Sequence, residues 1–235
     1  MGACLGVKFI VNEAVPGQGS NVIVTAGKLK LLRHDVDRIY SGFCKIDADR
    51  SGLINANEFI VMNKVQSAAF GEMAFRVLDR NRSGKIDFLE YLVAVWNYCS
   101  MSKESLSLFT FKIFDTDNSG ILTISEFKTM IDIVWGFEKS DHVEGALRAL
   151  DKNKDGEISL KEFLTMVHHT PVLLFPGFEL QEKMRTNVLG QAAWRRITKE
   201  RNAAYGDGTV FEIVEKSLDT DEEYLAAKTI EIATK

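Results

Sequence analysis

From Lys28 onward, apolar residues recur at three- and four-residue steps, the period of a helix with one face on a core. Leu32, Val36, Ile39, Phe43 and Ile46 form the first stripe, and Phe59, Met62 and Val65 continue it after a polar break. Phe70, Ala74, Phe75 and Leu78 lead to a second break, and Tyr91, Val95 and Trp96 follow it. Leu106, Phe109, Phe111 and Phe114 precede a third, with Phe127, Met130, Ile131 and Val134 beyond. Val143, Ala146, Leu147 and Leu150 precede the fourth, and Phe163, Met166 and Val167 close the series. The pattern predicts four helix–break–helix units. The breaks begin at residues 47, 79, 115 and 151, in steps of 32, 36 and 36 residues, which marks an internal repeat. Ser102 is the expected N-cap of the helix entering the third break. Before Lys28 the chain is apolar but irregular, and Pro16-Gly17 and Gly19-Ser20 are expected to break any helix there.

The four breaks share one chemistry. Asp115 to Glu126, DTDNSGILTISE, fits a twelve-residue calcium loop, which offers oxygens from positions 1, 3, 5, 7, 9 and 12. Asp115, Asp117 and Ser119 fill the first three. Ile121 offers its carbonyl, Thr123 stands at position 9, and Glu126 can clamp the ion with both oxygens. Gly120 supplies the sharp turn at position 6, and apolar Leu122 is expected to pair with a sister loop across a short β-bridge. Loop one offers Asp47, Asp49, Ser51, the Leu53 carbonyl, Asn55 and Glu58. Loop two offers Asp79, Asn81, Ser83, the Lys85 carbonyl, Asp87 and Glu90, and loop four Asp151, Asn153, Asp155, the Glu157 carbonyl, Ser159 and Glu162. Position 12 is glutamate throughout, where aspartate would suit magnesium better. Up to four Ca2+ ions are therefore expected, with Mg2+ the competing ion. Loop two adds Arg80, Arg82 and Lys85 and is expected to be the weakest; loop three has no basic residue and is expected among the tighter.

Four such units resemble the EF-hand, calmodulin-type superfamily over residues ~28 to ~168. The short first step, and DFLEYLVAVWNYC followed by LFTFKIFDTDNSG, resemble its calcineurin B-like and neuronal calcium sensor branch. The resemblance implies an all-α fold of two lobes, each a pair of EF-hands with short β-bridges between paired loops, plus a C-terminal helical extension. It also implies a protein partner regulated by calcium, such as a kinase, phosphatase or channel.

Charge and composition narrow the rest. The formal net charge of −4 gives no basic footprint for nucleic acid. Eight charges from four calcium ions would move it to +4, favouring an anionic membrane surface. Cys4, Cys44 and Cys99 form no CxxC or zinc pattern and are expected as reduced thiols in the cytoplasm. No apolar run approaches the ~18 residues of a spanning helix. No P-loop, HExxH or GxSxG is present, so no enzymatic activity is expected. Gly2 directly follows Met1 and is a candidate for myristoylation, with Cys4 a second acylation site. Gly6 departs from the usual Ser or Thr of that motif. Acylation would place the protein peripherally on a membrane.

The expected divisions are an N-terminal segment (1–27), an N-terminal EF-hand pair (28–99), a C-terminal pair (100–169), an apolar helical extension (170–201) and a weakly structured tail (202–235). Trp96 and Trp135, late in exiting helices, are the expected lining of a groove for an amphipathic partner helix. The His168-His169 pair is expected as a polar helix end rather than a metal site. Val172 to Phe178 is apolar and expected to be broken by Pro176. The helix after it, with Leu180, Met184, Val188 and Trp194 on one side, is expected to pack on the EF-hand body, in the C-terminal lobe's groove. There it is either a competitor that a target displaces or an ordinary core helix. The expected function is a calcium sensor regulating a partner; the alternatives are a calcium buffer and a structural subunit of a cytoskeletal or ciliary assembly.

Overall fold

A computed structural model describes residues 19–135, 145 and 151–205. The N-terminal lobe comprises α1 (Gly19–Lys28), α2 (Arg33–Ile46), β1 (Ile54–Asn55), α3 (Ala56–Met62), α4 (Ala68–Leu78), β2 (Lys85–Ile86) and α5 (Phe88–Ser100). The C-terminal lobe comprises α6 (Lys103–Phe114), β3 (Ile121–Leu122), α7 (Ile124–Trp135), β4 (Ile158–Ser159) and α8 (Leu160–His169). A 3-10 turn (Pro171–Leu174) leads to α9 (Phe175–Val188) and α10 (Gln191–Tyr205). The fold is the expected all-α pair of lobes. Val143, Ala146, Leu147 and Leu150, expected to lead into loop four, the acylation candidates Gly2 and Cys4, and the tail from residue 206 lie outside the described residues.

The strands join the loops in pairs. Ile54 faces Ile86 in one antiparallel bridge, and Leu122 faces Ile158 in the other. All four side chains are buried, so each loop is anchored by one apolar residue beneath its pair. The Ser102 cap forms as expected, its hydroxyl accepting from the Ser105 N–H at 3.2 Å.

Helix α5 is the centre of the molecule. Every residue from Tyr91 to Ser100 is buried, and a helix apolar on all sides needs cover on all sides. Helix α2 covers one flank, and α9 and α10 cover the others. Leu180, Met184, Val188, Leu189, Trp194 and Ile197 of the extension are all buried there. Gly177 lets α9 come close to α6: a Cβ there would stand 3.0 Å from Thr110 Oγ1.

Three expectations are corrected. Gly19 and Ser20 do not break a helix but begin α1. The first turn of a helix leaves its N–H groups unpaired anyway, so a flexible start costs little. Pro176 does not break the extension; it sits in the first turn of α9, where a missing N–H is tolerated. The break falls at Gly190, at φ +79° between α9 and α10. The extension also takes a different seat. The 3-10 turn, with Leu173 and Leu174 buried, packs among α6, α7 and α8 of the C-terminal lobe, and α9 touches α6 beside it, while the larger contacts of α9 and α10 are with α2 and α5 of the N-terminal lobe.

Candidate metal centres

The four loops fold by one local scheme. The residue at position 4 takes a left-handed backbone in each (Arg50, Arg82, Asn118 and Lys154, φ 55–60°), as does the glycine at position 6 (Gly52, Gly84, Gly120 and Gly156, φ 78–82°). These two turns aim consecutive N–H groups inward. The aspartate at position 1 accepts from the N–H groups of positions 5 and 6: for Asp115, from Ser119 and Gly120 at 2.9 and 3.0 Å. Asp47, Asp79 and Asp151 repeat the arrangement. Position 3 accepts from the position-5 N–H in each loop, at Asp49, Asn81, Asp117 and Asn153.

The end of each loop doubles as a helix cap. Asn55, Asp87, Thr123 and Ser159 accept from the N–H of the glutamate three residues on. That glutamate reaches back to their own N–H, a capping box. Its other oxygen crosses to the start of the loop: Glu58 to the Ala48 N–H at 3.0 Å, Glu126 to Thr116 at 2.7 Å and Glu162 to Lys152 at 3.0 Å. Helix geometry therefore holds the position-12 carboxylate over the loop. Ser51, Ser83 and Ser119 donate to the position-7 carbonyls of Leu53, Lys85 and Ile121, aligning them inward.

The loops differ in how the acids gather. Asp47, Asp49 and Glu58 bring one oxygen each within 4.8 Å of one another, and so do Asp115, Asp117 and Glu126. Among the described residues no such triad forms from Asp79, Asp87 and Glu90, or from Asp151, Asp155 and Glu162. A triad of carboxylates beside an inward carbonyl is a hard-oxygen donor set, which fits Ca2+. Position 12 differs too. Burial would raise the Glu126 carboxyl, but the Thr116 hydroxyl and the Thr123 and Thr116 N–H groups outweigh it and hold it below its ordinary value. The Ser159 hydroxyl does the same for Glu162. Burial raises Glu90 above its ordinary value, and its crossing contact, to the Asn81 N–H, is long at 3.4 Å. Hydroxyls at positions 5 hold Asp49 and Asp117 low, chiefly through Ser51 and Ser119.

The expected groove is covered. Trp96 is buried under the extension, with the Arg201 guanidinium 5.6 Å from its ring centre. The Trp135 side chain lies outside the described set. The ties to α5 were not legible in the sequence. Gln181 donates to the Tyr98 carbonyl at 2.7 Å, Arg185 to the Cys99 carbonyl at 2.7 Å, and Tyr98 to the Gly177 carbonyl at 2.5 Å. Burial raises the Tyr98 phenol and keeps it a donor. The first two ties satisfy carbonyls at the C-terminal end of α5, which have no partner inside the helix.

Family models match the chain in two forms, an EF-hand domain pair at residues 69–131 and 103–168 and an EF hand at residues 39–62. Together they cover more than half of the chain, which belongs to the EF-hand proteins and binds Ca2+. Within that family it is similar to calcineurin B. It is 33% identical to the calcineurin B chain of Schizosaccharomyces pombe over 104 residues, 43% of this chain and 59% of the relative. It is 29% identical to the type 2 calcineurin B chain of Rattus norvegicus over 110 residues, 46% of this chain and 62% of the relative. A segment is 31% identical to human lysophosphatidylcholine acyltransferase 2 over 116 residues, 48% of this chain but 21% of that protein. The chain thus spans about three fifths of the length of the calcineurin B relatives it matches.

Proposed function

We propose that this chain is a non-enzymatic calcium sensor that regulates a protein partner, and that its partner groove is held by its own residues 171–205 at rest. Calcium is bound by the oxygens named above at positions 1, 3, 5, 7, 9 and 12 of the four loops. The observation that carries the regulatory reading is α5: a mostly apolar helix, buried from Tyr91 to Ser100, directly following a calcium loop and covered by a separate C-terminal segment. A partner helix bearing a similar apolar face would exchange with α9, and calcium at loop two would act on that exchange through α5. Two relatives are named as subunits of calcineurin, which favours a protein partner here. Among the described residues Cys44 and Cys99 form no disulfide, which favours a reducing, cytoplasmic setting, and no helix among the described residues is long and apolar enough to cross a membrane. The division of the chain into N-terminal segment, two EF-hand pairs, extension and tail follows the same reading.

The test is a calcium titration with an apolar dye, followed by calcium-dependent capture and identification of partners. A sensor exposes apolar surface as calcium binds and retains a partner only with calcium. Unchanged dye signal would make the chain a buffer. A stoichiometric partner held equally without calcium would make it a structural subunit.

A further inference from the structure

The chain is acidic overall, yet one face is not. Residues 28–38 and 191–201 together carry eight lysines and arginines against three acids. The fold brings these two stretches together. Arg196 of α10 binds the buried Asp35 of α2 at 2.5 Å, and the same Asp35 oxygen accepts from the Leu32 N–H at 2.8 Å. Around this bridge, Lys30, Arg33 and Arg38 are exposed on the α2 side, and Arg195 and Lys199 on the α10 side. Arg38 and Lys199 each stand one helical turn beyond the bridged residue, where i and i+3 share a face. The acids are largely spent. Asp35 is buried in the bridge, and half-buried Glu200 holds Arg196 at 3.4 Å. Asp37 is half-buried, and Glu182 binds Gln191 at the edge of the face. Leu32 projects from the middle of this face, 47% exposed.

We propose that this face docks the protein on an anionic lipid bilayer. Cations around an exposed leucine match the boundary between acidic headgroups and acyl chains. A nucleic-acid backbone would leave Leu32 unused. The surface uses α10, which belongs to the segment covering α5, so it rests on α10 staying seated against α2 through the Asp35–Arg196 bridge. It needs no acyl chain on Gly2.

The test uses the full, unacylated, calcium-loaded chain in co-sedimentation with phosphatidylcholine vesicles, with and without phosphatidylserine. The chain should bind only the serine-containing vesicles, and salt should release it. Each cation near such a surface is worth roughly fivefold in binding, so R38A/K199A should bind roughly twenty-five-fold more weakly. Both side chains are exposed and neither takes part in the Asp35–Arg196 bridge, so helical content and melting temperature should stay unchanged. L32S should weaken binding by the same factor at each salt concentration below release, because its contribution is apolar. Equal binding to both vesicle types, or wild-type binding by R38A/K199A, would overturn the proposal. So would tighter binding to a polynucleotide than to the acidic vesicles.

Discussion

Loops two and three are built on one backbone and arranged to different ends. Each gathers its position-1 aspartate with the same two N–H groups and turns on the same glycine. In loop three the position-12 Glu126 takes four donors, from Thr116 and Thr123, including both hydroxyls. In loop two Glu90 takes two N–H groups, at 3.2 and 3.4 Å, and burial opposes its charge. Loop three is a better-prepared cradle. Loop two runs straight into the helix that holds the extension. A site coupled to a large rearrangement needs an equilibrium that can be tipped, and a marginal cradle provides one. Quality of ligation and consequence of ligation are separate properties.

The contrast can be broken most directly at position 12. E126Q should lower calcium affinity at loop three by roughly a hundredfold or more, and E90Q should cost loop two less, on the order of tenfold. Calorimetry resolving the two sites decides it, and equal losses would dissolve the contrast. Next in size, R185A should destabilise the protein by about 2 kcal/mol, since a charged donor leaves a buried carbonyl. Denaturant unfolding reads that loss. The same variant should shift calcium affinity at loop two and leave loop three unchanged; a shift at loop three alone would reverse the proposed coupling. T116V removes one hydroxyl donor to Glu126 and should weaken loop three about threefold, with no change at loop two. Smallest of all, R82A should strengthen loop two by about twofold or less, an effect that fades with salt. K85A differs in reach, because Lys85 also lowers Asp49 of loop one across the β-bridge.

The repeats, the loop positions and the paired strands were all legible in the sequence because each is local. The donors to Asp115 lie four and five residues away, and the whole ligand set fits in twelve residues. The role of the extension was half legible. Its apolar stripe, Leu180, Met184 and Val188, forecast burial but not the surface it would meet. That surface is chosen by Gln181, Arg185 and Tyr98, through contacts spanning 79 to 86 residues. A polar residue inside an apolar stripe gives no sign of which carbonyl awaits it. Pro176 and Gly19 misled for a different reason: residue type was read without position, and a first turn forgives both.

The same span has a consequence for how the chain is made. Helix α5 leaves the ribosome long before Gln181 and Arg185 exist. Synthesis adds ~5–20 residues each second, so several seconds pass with a mostly apolar helix and no cover. During that interval its carbonyl end and its aromatic flank face solvent or a chaperone. Assembly of the N-terminal lobe is therefore finished by the last part of the described chain to be translated, and nascent chains stalled before α9 are the form most prone to aggregate.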